Sequence, residues 1–270
     1  MKPHRKIKSF VCRNSRMTVA QRDAFKRLAA EFVMPAERFL REVASSDINK
    51  NIQLSCQHAF SWHPVTFKKD SGCHLSQKAL GWHDNSFCIL EIGFGNGKSL
   101  LTSAKENPEK NFIGIETHQP GVASVLMGIE KHQIKNIKIF YADAVDVLQK
   151  NIPDHSFNVI QIFFPDPWPK RRHNKRRLIQ PEFVHLLTQK LKQDGVLHLA
   201  TDWEDYAMHM MTVLSNNESL INQAGKNQFA ERSLQRPIVT KFEQRGLRAG
   251  RKIWELQFAL SFTKLSGEKY

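Results

Sequence analysis

The chain has 270 residues, of which 41% are hydrophobic, so it is long enough to bury one large core or two small ones. Its 40 Lys and Arg against 26 Asp and Glu give a formal charge of +14, which favours a polyanion such as a nucleic acid as partner. The apolar stretches are far shorter than a membrane span, no apolar signal segment follows the basic N-terminus, and the four cysteines are scattered. We therefore expect a cytoplasmic protein without disulfides rather than a membrane or secreted one.

Residues 1–86 are predicted to be a basic N-terminal extension and connector. Up to Arg27 the chain has nine Lys or Arg against the single acid Asp23, and Thr18 is placed to cap a helix with apolar residues at helical spacing. Residues 45–86 show no clean period. They contain several metal-ligating residue types: Cys56, His58, His63, Cys73 and His74. Their spacing matches no standard zinc finger, so we predict no metal site.

From Phe87 onward, short β-branched or aromatic runs alternate five times with runs of helical period. This alternation, with nearly continuous apolar strands, predicts an α/β domain over residues 87–270 whose doubly wound, mostly parallel sheet is covered by helices on both faces. The last segments, KFEQRG and IWELQFALSF, are interpreted as two further strands that pair antiparallel at one edge. The sheet is therefore predicted to have seven strands.

A glycine-rich turn, LEIGFGNGKS, follows the first of these strands. Gly93, Gly95 and Gly97 form G-x-G-x-G, whereas a dinucleotide-binding turn has G-x-G-x-x-G. Glycines at this place let the chain turn sharply and let a ligand approach the backbone. Glu91, two residues before the first glycine, disfavours a pyrophosphate and suits a cationic group such as the amino group of a methionine moiety.

The next two strands also end on acids, Glu116 and Asp143. In nucleotide-binding folds an acid at the first of these places binds ribose hydroxyls, and one at the second can accept from the adenine amine. Each acid alone is as often a helix cap. Together, and in the order of the strands, the turn and the acids predict a site for S-adenosylmethionine.

The fourth strand ends in FFPDPWPKRRHNKRR, which places Asp166 between prolines. Six of the eight residues from Lys170 to Arg177 are Lys or Arg, which favours a surface for nucleic-acid phosphates over an ordinary solvated face. Trp168 is interpreted either as a stacking wall for a base or as a packing residue.

These motifs resemble those of the bacterial tRNA (guanine-N7-)-methyltransferases, which have a class I, Rossmann-like methyltransferase fold. The matching stretches are SFVCRNSRMT, LEIGFGNGKSL, FIGIETHQPGV, FFPDPWPKRRHNKRR, HLATDWEDYA and TKFEQRGLRAG. The resemblance implies cofactor acids at Glu91, Glu116 and Asp143 and a catalytic aspartate, Asp166, which also binds the cofactor. It implies substrate or RNA contacts at Lys170, Arg172, His173, Asn174, Lys175, Arg176, Arg177, Asp202, Thr240, Lys241, Phe242 and Glu243.

The same resemblance implies transfer of a methyl group to N7 of a tRNA guanosine, at position 46 of the variable loop. It indicates tRNA as partner, no obligate protein partner, and a monomer or homodimer. Two features depart from the family pattern. The connector from Ser45 to Ser86 is longer than usual, and GRKIWEL stands where the family often has a Gly-His pair, so no role is assigned to Arg251.

Two other kinds of function remain open on the sequence alone. An amino-group methyltransferase, acting on adenine N6 or on protein, has an acid or amide followed by Pro-Pro-aromatic at this strand end, and Asp166–Pro167–Trp168 is close to it. A non-catalytic RNA-binding protein on the same fold would be expected to have lost the glycines or the strand-end acids, and all are present.

Overall fold

The computed structural model describes residues 16–34, 87–233, 236 and 238–261. The helices are α1 (Val19–Phe32), α2 (Lys98–Glu106), α3 (Gln119–His132), α4 (Ala144–Lys150), α5 (Pro181–Lys190), α6 (Glu204–Ser215), α7 (Lys241–Arg248) and a 3-10 helix (Arg171–Arg176). The strands are β1 (Val33–Met34), β2 (Cys88–Ile92), β3 (Asn111–Glu116), β4 (Ile137–Tyr141), β5 (Phe157–Phe163), β6 (Leu191–Thr201), β7 (Leu220–Asn222) and β8 (Trp254–Leu260).

These strands form one mixed sheet in the order β1-β4-β3-β2-β5-β6-β8-β7. The first six are parallel, and β8 runs antiparallel to both β6 and β7. The strand order reverses between β2 and β5, where Glu91 lies opposite Gln161. In a doubly wound sheet ligands bind outside the carboxyl ends of the strands at this switch point.

Helices cover both faces of the sheet, as the alternating pattern predicted. One face packs against α4, α5 and α6, and the other packs against α1, α2 and α3. Alternate residues of β2 point to the two cores: Leu90 belongs to the first and Ile89 to the second. Burial of both faces explains why the parallel strands are almost continuously apolar.

The N-terminal helix is part of this architecture. Thr18 caps α1 through a capping box with Gln21, which confirms the predicted cap. The Gln21 side chain also donates to the carbonyl of Pro120 and to the Ser124 hydroxyl, both on α3. Strand β1 then pairs with β4, so Val33 and Met34 extend the sheet. The sheet therefore has eight strands among the described residues, one more than the seven predicted.

The prediction that KFEQRG is a strand is wrong, because these residues form α7. Thr240 accepts from the Glu243 backbone N–H, and the Glu243 carboxylate accepts from the Thr240 N–H. This capping box satisfies free backbone donors at the first turn and so stabilises a helix. The strand that pairs with β8 at the edge is instead β7, which no sequence pattern had indicated.

No helix in the described parts of the chain is long and apolar enough to cross a membrane. The connector and its cysteines and histidines lie outside the described residues, as do residues 1–15 and 262–270.

Candidate active site

A cleft opens at the carboxyl ends of β2, β3, β4 and β5, at the switch point of the sheet. Its walls are Ile92, Gly93, Gly95, Ile115, Glu116, Thr117, His118, Ala142, Asp143, Ala144, Ile162, Phe163, Phe164, Pro165, Asp166, Leu178 and Phe242. The structure thus brings together the glycine turn, two of the strand-end acids, Asp166 and one residue of α7, although these groups are far apart in the sequence.

The glycine turn is built so that the backbone itself forms one wall. Gly93, Gly95 and Gly97 all have positive φ, at 75°, 59° and 68°. The Gly93 N–H donates to the Ile115 carbonyl at 2.8 Å, which ties the turn to β3. A Cβ at Gly121 on α3 would lie 2.1 Å from the Gly95 carbonyl oxygen. The turn therefore requires glycine at a fourth position, Gly121, which the sequence analysis missed.

Glu116 organises the turn by accepting three backbone N–H groups. The donors are Gly95 at 2.8 Å, Thr117 at 2.6 Å and His118 at 2.9 Å. A carboxylate held by three amides has a fixed orientation. Glu116 therefore presents its charge to the cleft at a set place between β2 and β3.

Glu91 lies one residue before the end of β2 and is 5% exposed. Burial, and then repulsion from the Glu116 carboxylate, raise the pKa of Glu91 to about 8. Two acids thus share the region beneath the glycine turn. Glu91 itself does not line the cleft, whereas Glu116 does. A cation bound close to Glu91, such as the ammonium group of an amino-acid moiety, would favour its ionised form.

Asp143 follows β4 and caps α4 by accepting from the Val145 N–H at 2.9 Å. It also lines the cleft and an adjacent groove that contains Lys175 and Arg176. Asp143 therefore separates the cleft from the basic groove.

Asp166 lies on a loop with two backbone positions that are unusual for large side chains. Phe164 has a φ of 52° and Trp168 a φ of 44°, and each such position costs about 1–3 kcal/mol. Hydrogen bonds offset this strain: the Phe164 N–H donates to the Ala200 carbonyl at 2.8 Å, and Arg177 Nε donates to the Pro167 carbonyl at 3.0 Å. The loop holds half-buried Asp166 at the wall of the cleft.

Trp168 packs between two residues of the 3-10 helix. Its ring meets the His173 ring edge-on, with centroids 5.9 Å apart, and the Arg176 guanidinium lies 5.0 Å from the ring centroid. Trp168 therefore packs against and supports the basic segment, which we define as Lys170 to Arg177. The stacking of a base on the Trp168 ring stays a prediction.

The basic segment is not uniformly exposed. Lys170, Arg172 and Lys175 are exposed, and Arg176, His173 and Asn174 are partly buried. Burial, and then the charges of the neighbouring arginines and lysines, lower the pKa of His173, so it adds no positive charge at neutral pH.

Arg177 was predicted to contact an RNA phosphate, but it is only 2% exposed. Its guanidinium forms an ion pair with Asp205 and lies 4.8 Å from the Tyr206 ring centroid, both residues being on α6. With its bond to the Pro167 carbonyl, Arg177 fixes the Asp166 loop to α6. The structure therefore gives Arg177 buried partners of its own, and its contact with an RNA phosphate stays a prediction.

Asp202 follows β6 and pairs with Arg251, whose Nη1 lies 2.7 Å from Asp202 Oδ2. Helix α7 packs directly on it, since a Cβ at Gly246 would lie 2.8 Å from the Asp202 Cβ. Arg251, for which no role was predicted, is thus the partner of a predicted substrate residue.

The predicted segment from Thr240 to Glu243 places its side chains in different surroundings. Phe242 is 41% exposed and lines the cleft. Its ring lies close to the glycine turn, since a Cβ added at Gly95 would be 4.0 Å from it. Lys241 is exposed. Thr240 and Glu243 form the helix cap, and Glu243 is 1% exposed and bonded to Arg232 and Arg236. Contact between Glu243 and a substrate therefore stays a prediction, and the structure gives Glu243 other partners.

This sheet order, with a glycine turn after β2 and acids at the following strand ends, is the arrangement of the class I methyltransferase fold. The fold is similar to that of the 16S rRNA methyltransferase KamB. That likeness has a TM-score of 0.50 at 13% identity and covers 69% of this chain and 94% of KamB. A family model described as a putative methyltransferase matches residues 85–256.

Curated relatives are more specific than the fold. A tRNA (guanine-N(7)-)-methyltransferase of Klebsiella pneumoniae subsp. pneumoniae is 42% identical over 257 residues, which is 95% of this chain and 92% of the relative. One from Legionella pneumophila (strain Corby) is 51% identical over 181 residues, covering 67% of this chain and 80% of the relative. The chain belongs to the tRNA (guanine-N(7)-)-methyltransferase family.

Proposed function

We propose that this protein transfers the methyl group of S-adenosylmethionine to N7 of a guanosine in tRNA, at position 46 of the variable loop. The observation that carries the proposal is the place of Asp166, which lies on the wall of the cleft that holds Glu116 and Asp143 and next to an exposed basic surface. A protein that modifies tRNA works where bacterial tRNA is, so the cytoplasm is the proposed compartment.

The strand-end acids support a cofactor with one cationic end and one nucleoside end. Glu91 is proposed to face the amino group, Glu116 the ribose hydroxyls and Asp143 the adenine amine. The glycine turn leaves room for close approach of the ligand to the backbone. When bound, S-adenosylmethionine supplies an electrophilic methyl group that is attached to a sulfonium sulfur. On transfer of the methyl group, this sulfur leaves as a neutral sulfide.

The chemistry of guanine limits the role of Asp166. N7 is an unprotonated acceptor, so no general base is needed to remove a proton from it. The purine gains positive charge as the bond forms, so a nearby carboxylate stabilises the transition state more than the ground state. We propose that Asp166 accepts from guanine N1–H and the 2-amino group, which fixes the base and raises the electron density at N7.

Product analysis tests this function directly. The purified protein is incubated with labelled S-adenosylmethionine and bulk tRNA, and the tRNA is digested to nucleosides. We expect label in 7-methylguanosine. Label in N6-methyladenosine would instead indicate the amino-group methyltransferase, and absence of label would indicate the non-catalytic RNA-binding protein.

The raised pKa of Glu91 predicts that cofactor affinity depends on pH. With a pKa of about 8 in the free protein, Glu91 is mostly protonated at pH 7, and a bound ammonium group favours its ionised form. Binding then releases a proton, so affinity should rise with pH between 6 and 7.5 by up to about tenfold per unit. Titration calorimetry in buffers of different ionisation enthalpy counts the released proton.

Glu91→Gln is the control for this prediction, because it removes the titrating group with little change in shape. Its affinity should be weaker and nearly independent of pH over the same range. Wild-type binding that releases no proton near pH 7 would contradict the proposed role of Glu91.

The exposed part of the basic segment is proposed to bind tRNA phosphates. Replacing Arg172 and Lys175 by alanine should weaken tRNA binding and reduce the slope of log affinity against log salt by about one unit per lost contact. Binding is measured by fluorescence anisotropy over a range of salt concentrations.

A matched double variant, Lys105→Ala with Lys135→Ala, removes the same charge from exposed sites at the opposite end of the sheet. Its salt slope should stay close to that of the wild type. Equal slopes for the two double variants would mean that only net charge matters and that the basic segment is not a specific docking surface.

A further inference from the structure

A buried guanidinium joins two acids behind the cleft. The Arg236 side chain is 1% exposed, and its Nη2 donates to Glu243 Oε1 at 2.7 Å. Its Nε lies 2.6 Å from Glu255 Oε1, at ion-pair distance rather than in an aligned hydrogen bond. Glu243 belongs to α7 and Glu255 to β8, and both side chains are 2% exposed. One buried cation therefore ties a short helix to the sheet.

Further partners fix both carboxylates. Arg232 Nε donates to Glu243 at 3.0 Å. Glu255 accepts from the Ser233 N–H at 2.9 Å and contacts His198 Nε2 at 3.0 Å. Burial would raise the pKa of Glu255, but the bonds from His198 and Ser233 and the charge of Arg236 hold it below its usual range. Glu255 is therefore ionised beside Arg236.

The same guanidinium also lies on the segment that leads to Asp166. Its central carbon is 5.2 Å from the ring centroid of Phe163, the last residue of β5, and 5.6 Å from that of Phe164. Contacts of this kind between a guanidinium and aromatic faces are stabilising. Phe164 is one of the two positive-φ residues of the Asp166 loop.

Arg236 thus contacts two elements that each contribute residues to the wall of the cleft. One is α7, which carries Phe242, and the other is the Phe163–Phe164 segment before Asp166. Buried ion pairs contribute little net stability because desolvation is costly, but their geometry restricts how the joined elements sit. The flat guanidinium can bond two carboxylates and stack on rings together, and a lysine ammonium cannot.

We propose that Arg236 is a positioning residue for methyl transfer, which sets the distance between α7 and the Asp166 loop. This inference rests on the proposed function, because its test measures kcat for the methylation of tRNA. It does not give Arg236 a contact with substrate. It predicts that the alignment of the base, rather than the binding of cofactor, depends on Arg236, because Glu116 and Asp143 lie on strand ends outside this cluster.

The test uses Arg236→Lys in the full chain. This variant keeps the charge balance of the cluster but loses the planar bridge, so we expect it to fold. Its kcat for tRNA methylation should fall at least tenfold, while its dissociation constant for S-adenosylmethionine stays within threefold of the wild-type value. Hydrogen exchange of the α7 backbone amides, measured without substrates, should become faster.

Lys190→Met is the control for a general loss of stability. Lys190 is another buried cation, whose Nζ pairs with Asp154 at 2.6 Å and donates to the Ile152 carbonyl, at the opposite end of the sheet. Its loss lowers stability by removing a buried cation but leaves the supports of the cleft intact. We expect unchanged kcat below its melting temperature and unchanged exchange in α7.

Two results would overturn the proposal: folded Arg236→Lys with kcat within threefold of wild type, or equal losses of kcat in Arg236→Lys and Lys190→Met. If Arg236→Lys does not fold, Glu255→Gln decides, because it removes one carboxylate of the same bridge and should show the same loss of kcat. A wild type that forms no 7-methylguanosine would reject the proposed function, whereas α7 exchange would still test the bridge.

Discussion

Asp166→Ala is expected to lower kcat at least 100-fold and to leave the affinity for S-adenosylmethionine within about threefold. Two hydrogen bonds from guanine to a carboxylate are worth about 1.5–3 kcal/mol each, and both are lost. The three other acids that are proposed to bind the cofactor, Glu91, Glu116 and Asp143, lie on or just after other strands, so the cofactor should still bind. The measurement combines calorimetry for cofactor affinity with single-turnover methylation of tRNA under saturating conditions.

Asp166→Asn separates charge from shape in the same experiment. The amide keeps one acceptor but loses the negative charge that the developing positive charge on the purine requires, so its kcat should also be strongly reduced. If Asp166→Ala keeps turnover within about tenfold, a loss of ~1.4 kcal/mol, Asp166 is not the group that grips the base.

Gly121→Ala should nearly abolish cofactor binding, with a loss of affinity of at least 100-fold. The new Cβ would lie 2.1 Å from the Gly95 carbonyl oxygen, and a backbone atom cannot move aside as a side chain can. Either α3 or the glycine turn must shift, and Glu116, which bonds the Gly95 N–H, shifts with the turn. Calorimetry with S-adenosylmethionine measures the effect, and thermal melting reports on the fold.

Gly128→Ala on the same helix is the control for this prediction. Its Cβ would lie 2.3 Å from a terminal carbon of Leu101, which is the flexible end of a side chain. Alanine also favours a helix over glycine by about 1 kcal/mol. Cofactor affinity should therefore stay close to wild type in Gly128→Ala, and equal losses in the two variants would show that α3 is generally intolerant of larger residues.

The sequence was most informative where function depends on short stretches of chain. A parallel strand is visible as an apolar run, and the residue at its end is brought to the ligand edge by the fold itself, so Glu116, Asp143 and Asp166 could be placed in one cleft in advance. The glycine turn was also visible, because three closely spaced glycines after an apolar strand indicate a backbone that turns with positive φ and admits a ligand.

The sequence was least informative where a role depends on partners from distant elements. Arg177 looks like its basic neighbours, and only Asp205 and Tyr206 on α6 make it a buried brace. Arg236 and Arg251 likewise gain their roles from Glu255 and Asp202, which lie on other elements of the fold. The segment KFEQRG is short enough to form a strand or a helix, and the capping box between Thr240 and Glu243 stabilises the helix.

The left-handed backbone at Phe164 and Trp168 means that the Asp166 carboxylate is ordered when the protein folds, before any substrate binds. Prolines on both sides of Asp166 restrict φ even in the unfolded chain, and the bonds to Ala200 and Arg177 select one loop conformation in the fold. The conformational entropy of this loop is therefore lost once, when the protein folds. Each arriving tRNA then meets a carboxylate already in place, so the free energy of tRNA binding is not spent on ordering it.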